Sequence, residues 1–132
     1  MIAVAMDTNA LMMPVELDVR VFEALERTLE TSADQLDLVI PTAVLAELDA
    51  IAERSAGEEG VAASVGADLA RDRCRVVDTD ATYADDAIVE LAERGEADYV
   101  LTNDTPLRDR LLERGVRVIG LRGGDQLAVT TP

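Results

Sequence analysis

The chain has 132 residues, 12 of them basic and 27 acidic, and it carries a net charge of −15 with no histidine, lysine or tryptophan. This length predicts a single domain over residues 1–132, large enough to fold without a disulfide or a structural metal. The missing histidines exclude a Ser-His-Asp triad and a His-ligated zinc, and the missing lysines exclude a P-loop and a Schiff base.

Apolar runs alternate with amphipathic stretches along the whole sequence. Unbroken apolar runs predict buried strands, and apolar residues three or four apart predict helices. Thr42 is expected to cap one helix, and Gly95 and Gly115 to close two others. The predicted elements are, in chain order, a strand over 2–6, a helix over 19–29, a strand over 36–40, a helix over 43–54, a loop over 57–60, a helix over 61–73, a strand over 75–77, a helix over 83–94, a strand over 98–101, a helix over 105–114, a strand over 116–121 and a polar tail after Gly123-Gly124.

This alternation of strands and helices is typical of an α/β fold whose central, mainly parallel sheet is covered on both faces. In such folds ligands bind beyond the carboxyl ends of the strands. Asp7 directly follows the first predicted strand, and Asp104 comes three residues after Leu101 at the end of another. Both carboxylates are therefore expected at the ligand-binding edge of the sheet.

Further acidic residues come from two other segments: Glu47 and Asp49 lie within one predicted helix, and Asp85-Asp86 opens another. Two carboxylates about 4 Å apart repel by about 4 kcal/mol at an effective dielectric of about 20, so a cluster must be protonated or bound to a cation. Mg²⁺ and Mn²⁺ prefer carboxylate oxygens. Such an ion can orient a water, lower its pKa and stabilise a phosphodiester in its transition state. The sequence therefore predicts an all-carboxylate Mg²⁺ or Mn²⁺ site.

Four motifs in this order resemble those of the PIN-domain ribonucleases. They are Asp7-Thr8-Asn9 after the first strand, Val-Leu-Ala-Glu-Leu over 44–48, Ala-Asp-Asp-Ala-Ile over 84–88, and Thr102-Asn103-Asp104 after a late strand. The resemblance spans residues 1 to about 121 and is greatest to archaeal, single-domain relatives of the rRNA-processing PIN nucleases, with the VapC-type toxins as another branch. It implies a three-layer α/β/α fold and cleavage of single-stranded RNA with one or two Mg²⁺ or Mn²⁺ ions.

Carried over by position, the resemblance implies an acidic quartet. Asp7 would be the central metal ligand, and Asp86 and Asp104 would complete the site directly or through water. Glu47 would bind a second ion or position the attacking water. The residues expected to shape the pocket or contact phosphate are Thr8, Asn9, Thr102 and Asn103. Among the arginines, the candidates for phosphate contact are Arg108 and Arg110, ahead of Arg20 and Arg122.

Three of these assignments have alternatives that the residues leave open. Glu47 and Asp49 flank the same apolar stripe, and only the family pattern selects Glu47. The family pattern also selects Asp86, although helical periodicity places Asp85 beside the apolar face and Asp86 nearly opposite, so Asp85 is kept as a substitute. Asp104 could equally serve only as the cap of its helix.

The predicted function is a metal-dependent endoribonuclease, acting in rRNA processing or as a toxin. The alternative is a non-catalytic PIN-like module that binds RNA or a partner in ribosome assembly. A phosphoacceptor domain is disfavoured because it needs a lysine, and a haloacid-dehalogenase-like phosphatase because Asn9 stands where it needs a second aspartate. The resemblance also implies a homodimer, and a toxin-type nuclease would bind an antitoxin.

Charge and cysteine content bear on the protein's environment. An acid excess in which arginine is kept and lysine is absent is typical of salt-accumulating halophiles, since about 1 M salt shortens the Debye length to about 3 Å. With Cys74 as the one cysteine, no internal disulfide can form, which suits a reducing cytoplasm. The first apolar run reaches Asp7 too soon for a signal peptide, and no run is long enough to span a membrane. A cytoplasmic, halophilic protein is therefore expected, and the family resemblance implies an archaeal source.

Overall fold

The computed structural model describes residues 1–132 and contains six strands and six α-helices. The strands are β1 (Ile2–Met6), β2 (Leu36–Pro41), β3 (Arg75–Val77), β4 (Tyr99–Leu101), β5 (Arg117–Gly123) and β6 (Gln126–Thr130). The helices are α1 (Thr8–Glu16), α2 (Val21–Thr28), α3 (Thr42–Arg54), α4 (Gly57–Arg73), α5 (Ala84–Glu93) and α6 (Thr105–Glu113), and a short 3-10 turn covers Ala33–Gln35. None of the helices combines the length and the apolar character needed to cross a membrane.

The strands form one sheet in the order β3-β2-β1-β4-β5-β6, parallel except for β6, which runs antiparallel to β5. In register, Val4 of β1 lies opposite Leu38 of β2 and Tyr99 of β4. The chain runs outward from β1 to β2 and β3 and then returns to the other side of β1 for β4 and β5. The switch point lies between β1 and β4, where a ligand crevice is expected beyond their carboxyl ends.

Helices cover both faces of this sheet and give the predicted three-layer α/β/α architecture. The helix α5 packs on β1, β2 and β4 and contacts α6, which packs on β5. On the other face of the sheet, the helix α4 packs against both α1 and α3. Val4, Ala5 and Met6 are completely buried at the centre. Burial on both faces explains why β1 is an unbroken apolar run rather than an alternating one.

The structure contains one helix that the sequence pattern does not predict. The helix α1 begins directly after Asp7, which is its N-cap and accepts a hydrogen bond from the Thr8 backbone N–H. Ala10, Leu11, Met12 and Met13 are all buried, so the apolar residues surround the helix instead of forming a stripe. Without a stripe there is no 3.6-residue period to detect.

The predicted loop over 57–60 and the predicted cap at Thr42 are both wrong. Gly57 and Gly60 belong to the first turn of α4, where a Cβ on Gly60 would stand 2.2 Å from the carbonyl oxygen of Ser55. Gly60 therefore permits close packing instead of breaking the helix. Thr42 is the first residue of α3, and its hydroxyl donates to Asp78 at 2.7 Å, while Pro41 occupies the N-cap position.

The polar tail expected after Gly123-Gly124 contains the strand β6. Gly124 has a φ of 56° and begins a two-residue turn that leads from β5 into β6. Glycine at the first position of such a turn is typical of tight hairpins, because the backbone must adopt a positive φ there. The hairpin therefore adds β6 to the sheet as the edge strand beyond β5.

Candidate active site

Asp7 lies at the switch point of the sheet and is almost completely buried. It follows the buried strand β1, and its backbone N–H still bonds to the carbonyl of Leu101 on β4 at 3.1 Å. The residue as a whole is only 2% exposed. Ladder hydrogen bonds on both sides of β1 therefore hold this carboxylate in a fixed position beyond the strand ends.

Polar side chains from the two central strand ends bind the Asp7 carboxylate. One oxygen accepts from the Thr8 backbone N–H at 2.8 Å. The other accepts from the Asn9 amide at 2.7 Å and from the Thr102 hydroxyl at 2.8 Å. Thr102 is likewise 2% exposed, and its hydroxyl also accepts from the Asp104 backbone N–H. The motifs over 7–9 and 102–104 therefore form one hydrogen-bonded unit, although they lie far apart in the sequence.

The pKa of Asp7 is raised from 3.8 to about 6. Burial is the main cause, because a charged carboxylate loses hydration in the protein interior. The hydrogen bonds from Thr102 and Thr8 oppose this effect, whereas the negative charges of Asp85 and Glu47 add to it. Asp7 is thus a carboxylate whose charged form is poorly stabilised by the protein alone, as expected of a group that functions with a cation.

Asp85 and Asp104 lie on the same side of the site and influence each other. The pKa of Asp85 is raised by partial burial and then by the charge of Asp104. Asp104 is the N-cap of α6, and its carboxylate accepts from the Leu107 backbone N–H at 3.0 Å. The cap that was considered as an alternative role for Asp104 is therefore present, and the residue still contributes its charge beside Asp85.

Asp86 makes different contacts from Asp85, the residue that precedes it. Its carboxylate forms an ion pair with Arg110 of α6 at 3.0 Å, and its side chain is 52% exposed. The neighbours whose charges raise the pKa of Asp7 include Asp85 but not Asp86. This arrangement follows the helical periodicity, which places Asp85 beside the apolar face of α5, rather than the family pattern.

The two acidic residues of α3 are also separated by their contacts. Asp49 binds Arg71 of α4 at 2.6 Å. Glu47 is exposed, makes no ion pair, and its charge acts on Asp7. The chain thus brings together the charges of Asp7, Glu47, Asp85 and Asp104, but no three acidic side chains are close enough to surround one ion.

Asn103 ties three elements together around the site. Its backbone N–H donates to Asn9 at 2.9 Å, and its side-chain oxygen accepts from the backbone of Leu121 on β5 at 2.9 Å. Its amide nitrogen contacts the sulfur of Met13 on α1 at 3.1 Å. The family resemblance implied that Asn103 shapes the pocket or contacts phosphate, but its particular partners could not be predicted because only the fold brings these strand neighbours together.

The Thr8 hydroxyl and Arg108 complete the set of residues selected from the sequence. Thr8 is buried, and its hydroxyl oxygen is the one buried side-chain oxygen or nitrogen without a hydrogen-bond partner. Such an unsatisfied group next to Asp7 is suited to bind a water or a ligand there. Arg108 lies on α6, one turn beyond the Asp104 cap, and its backbone N–H bonds to the Asp104 carbonyl.

Several known proteins are similar to this chain over most of its length. Residues 4–124 match the family described as PIN like domain. "Ribonuclease VapC4" of Methanocaldococcus jannaschii is 30% identical over 119 residues, which are 88% of this chain and 87% of that protein. The structure of the PIN domain endonuclease Utp24 has a TM-score of 0.80 at 23% identity, over 98% of this chain and 92% of that one. VapBC2 from Rickettsia felis, solved bound to a DNA fragment from its promoter, has a TM-score of 0.57 at 17% identity, over 91% and 99% of the two chains.

The solved structures confirm the three-layer fold, and the family match covers nearly all of the chain. Nucleases of this family generally use divalent metal ions, and the match supports a ribonuclease function in general terms. The resemblance inferred from the four sequence motifs is therefore confirmed: the chain belongs to the PIN-like domain family.

Proposed function

We propose that this protein is a divalent-metal-dependent endoribonuclease that cleaves single-stranded RNA as one domain over residues 1–132. The observation that carries the proposal is the buried Asp7 at the switch point, with its pKa raised to about 6 and with acidic neighbours. The protein itself offers this carboxylate hydrogen bonds but no cation. A divalent ion would stabilise its charged form, and the family relationship supports RNA as the substrate.

The residues present fit a Mg²⁺ or Mn²⁺ ion by the chemistry of their donor atoms. Such ions are commonly held by one or two carboxylates, with waters and substrate phosphates as the other ligands. Asp7 and Asp85 would supply the carboxylates, so that Asp85 takes the role first assigned to Asp86. Asp104 would contribute charge or a water-mediated contact. When bound, the ion would activate a water and neutralise charge that develops on the phosphodiester.

The protein's own residues would prepare the site for this reaction. Thr102 and Asn9 donate hydrogen bonds to one oxygen of Asp7, so the carboxylate would keep its orientation with or without a bound ligand. The unpartnered Thr8 hydroxyl would bind a water or a phosphate oxygen. Glu47, which is exposed and free of ion pairs, would position the attacking water or bind a second ion.

Substitutions at three aspartates test the proposal. Asp7→Asn is expected to lower Mn²⁺-dependent cleavage of a labelled single-stranded RNA by about 100-fold or more, because the central metal ligand is lost. Asp85→Asn should have a similar effect. Asp86→Asn is the matched control: it makes the same change one residue away, where it removes only the ion pair with Arg110, and should keep most of the activity.

Each outcome of this experiment has a definite meaning. Full activity of Asp7→Asn would end the nuclease proposal, and loss with Asp86→Asn but not Asp85→Asn would reverse the choice between the two aspartates. Wild-type protein that binds RNA and Mn²⁺ but never yields product would instead support the non-catalytic binding module.

The activity fits two biological roles. The similarity to VapC4 supports a toxin-type nuclease with an antitoxin partner. The resemblance of the sequence motifs to the rRNA-processing PIN nucleases implies a processing enzyme instead. Induced expression of the wild type and of Asp7→Asn in one host separates them, since growth arrest by the wild type alone would support a toxin. The homodimer, the cytoplasmic location and the archaeal, halophilic source stay predictions.

A further inference from the structure

A second recess lies beside the active site, between α6 and the β5–β6 hairpin. We refer to this space of about 500 Å³ as the hairpin groove. Gly120 pairs with Ala128 and Val118 with Thr130 across the ladder, so these four residues share the face of the sheet that forms its floor. The remaining lining includes the segment 102–105, Arg108 and Arg122.

The hairpin groove is continuous with the candidate active site. Thr102 and Asp104 line one end of it, and the Thr102 hydroxyl bonds to Asp7 at 2.8 Å. A Cβ at Gly120 would stand 3.0 Å from the Thr102 carbonyl oxygen. The glycine therefore lets the 102–105 segment approach the sheet closely, so that the groove borders Thr102, which binds the Asp7 carboxylate.

The charge in the hairpin groove is opposite to that of the molecule. The protein carries a net charge of −15, yet the groove presents two arginines and one acid, Asp104, whose carboxylate already caps α6. Arg122 forms no ion pair, and Arg108 contacts only its neighbour Asp109, at 3.4 Å. The Arg122 guanidinium is therefore free to bind an anion, and Arg108 is held only by two long hydrogen bonds to the adjacent Asp109.

A neighbouring groove shows why this charge is informative. Between α5 and α6, three arginines also line a recess, but each is matched by an acid. Arg110 binds Asp86 at 3.0 Å, and Arg114 binds Glu93 at 2.8 Å. Arginine alone is thus no sign of a binding surface in this protein. The hairpin groove differs because Arg122 has no acidic partner and Arg108 has only the adjacent Asp109, at the longer distance of 3.4 Å.

The backbone of β5 also contributes to the placement of Arg122. The ladder between β5 and β6 is interrupted between Leu121 and Gly123, which leaves Arg122 as the extra residue of a bulge. Bulges beside functional sites re-aim the side chain they carry. The hairpin therefore delivers a cationic side chain to a groove whose floor, at Gly120 and Ala128, is built from small residues.

We propose that the hairpin groove binds the phosphodiester backbone of the RNA strand adjacent to the cleaved bond, with Arg108 and Arg122 as its charged contacts. The inference rests on the proposed function and names where that substrate lies. It makes Arg108 and Arg122 binding residues, distinct from the carboxylates that act on the reacting phosphate.

Binding without cleavage tests the groove independently of catalysis. The probe is a labelled, unstructured oligouridine, whose affinity is measured by fluorescence anisotropy in EDTA over a range of NaCl concentrations. Arg108→Gln and Arg122→Gln are each expected to raise Kd about 3- to 10-fold. Each should also reduce the slope of log Kd against log salt by about 0.7, and the double variant by about 1.4.

Three further variants sharpen the test. Arg122→Lys keeps the charge and should keep the salt slope. Ala128→Leu fills the floor without changing charge and should weaken binding. Arg54→Gln removes an exposed arginine that has no ion pair at the far end of α3, and should leave both Kd and slope unchanged. Thermal midpoints near that of the wild type verify that the variants are folded.

The possible results separate the groove from the nuclease activity. Three results would each overturn the proposal that the groove binds RNA. They are wild-type affinity and salt slope in the double variant, equal losses in Arg54→Gln, and no RNA binding by the wild type. Unchanged binding in the double variant with intact Mn²⁺-dependent cleavage by the wild type would leave the nuclease proposal standing. Loss of binding in the double variant, with no cleavage by the wild type, would support the groove and refute the nuclease.

Discussion

At the scale of single residues, the site depends on one carboxylate held in an unfavourable environment. Burial raises the pKa of Asp7 to about 6, and Thr102 and Asn9 bind it without supplying a positive charge. The folded, metal-free protein therefore retains the Asp7 proton to a higher pH than the unfolded chain does. This gives the metal-free protein a stability that depends on pH in a defined direction.

We expect the metal-free protein to lose stability as pH rises from about 4 to about 6. In this window the unfolded chain releases the Asp7 proton while the folded state retains it, so each rise in pH favours unfolding. The shift from 3.8 to about 6 corresponds to a loss of about 3 kcal/mol that is complete above pH 6. Urea unfolding in EDTA between pH 4 and 8 measures the free energy of unfolding.

Asp7→Asn provides the comparison, since it lacks the titrating group. Its free energy of unfolding relative to wild type should rise through the same window and become constant above it. Parallel curves for the two proteins would contradict the raised pKa. Added Mn²⁺ should restore the stability of the wild type above pH 6 but not that of the variant.

At the scale of elements, close contact between helices supports the site from behind. The helix α4 packs against both α1, which begins at Asp7, and α3, which carries Glu47. Gly66 of α4 makes this contact possible: a Cβ there would stand 2.8 Å from the Leu11 carbonyl oxygen. Because the obstacle is backbone, a side-chain rotation cannot relieve it.

Gly66→Ala is expected to destabilise the protein by about 1–2 kcal/mol. Overpacking costs about 1–3 kcal/mol, and the higher helix propensity of alanine returns up to about 1 kcal/mol. Ser64→Ala, an exposed change in the same helix, is the control and should be neutral or slightly stabilising. Urea midpoints of the three proteins decide the matter, and a Gly66→Ala variant as stable as wild type would show that α1 and α4 are not in close contact.

At the scale of the whole molecule, the dominant property is the net charge of −15. Ion pairs such as Arg71–Asp49 and Arg75–Asp37 engage only part of the acidic surface, and exposed pairs contribute little stability. Repulsion among the remaining carboxylates opposes the compact state at low salt. Salt should therefore act mainly by screening this repulsion.

The thermal midpoint is expected to rise as NaCl increases from about 0.1 M to 1 M, since the Debye length falls from about 10 Å to about 3 Å. Replacing Asp68 and Asp72, two exposed acids one turn apart on α4, with asparagine should raise the midpoint at low salt and have little effect at high salt. Thermal unfolding at several salt concentrations measures both effects. A midpoint that falls with added salt would argue against a salt-adapted surface.

Much of the architecture could be predicted because it depends on local patterns. A strand buried on both faces is apolar throughout, as in the run that ends at Asp7. A helix buried on one face repeats its apolar residues with the helical period, as in α3, α5 and α6. The type of each of these elements therefore follows from the residues alone. The same reasoning places Asp7 and Asp104 beyond strand ends. The helix α1 was not predicted, because burial on all sides hides its helical period. The strand β6 was not predicted, because Gly123-Gly124 indicates the end of a strand and most residues after this turn are exposed.

The sequence by itself determined the alternation of strands and helices, the family motifs and the acidic residue types available to a metal. Only the tertiary structure decided which of these residues meet. Asp49 is engaged by Arg71 of another helix, Asp86 by Arg110, and Arg122 is aimed by a bulge against β6. These outcomes depend on how elements far apart in the chain pack together, and no local pattern carries that information.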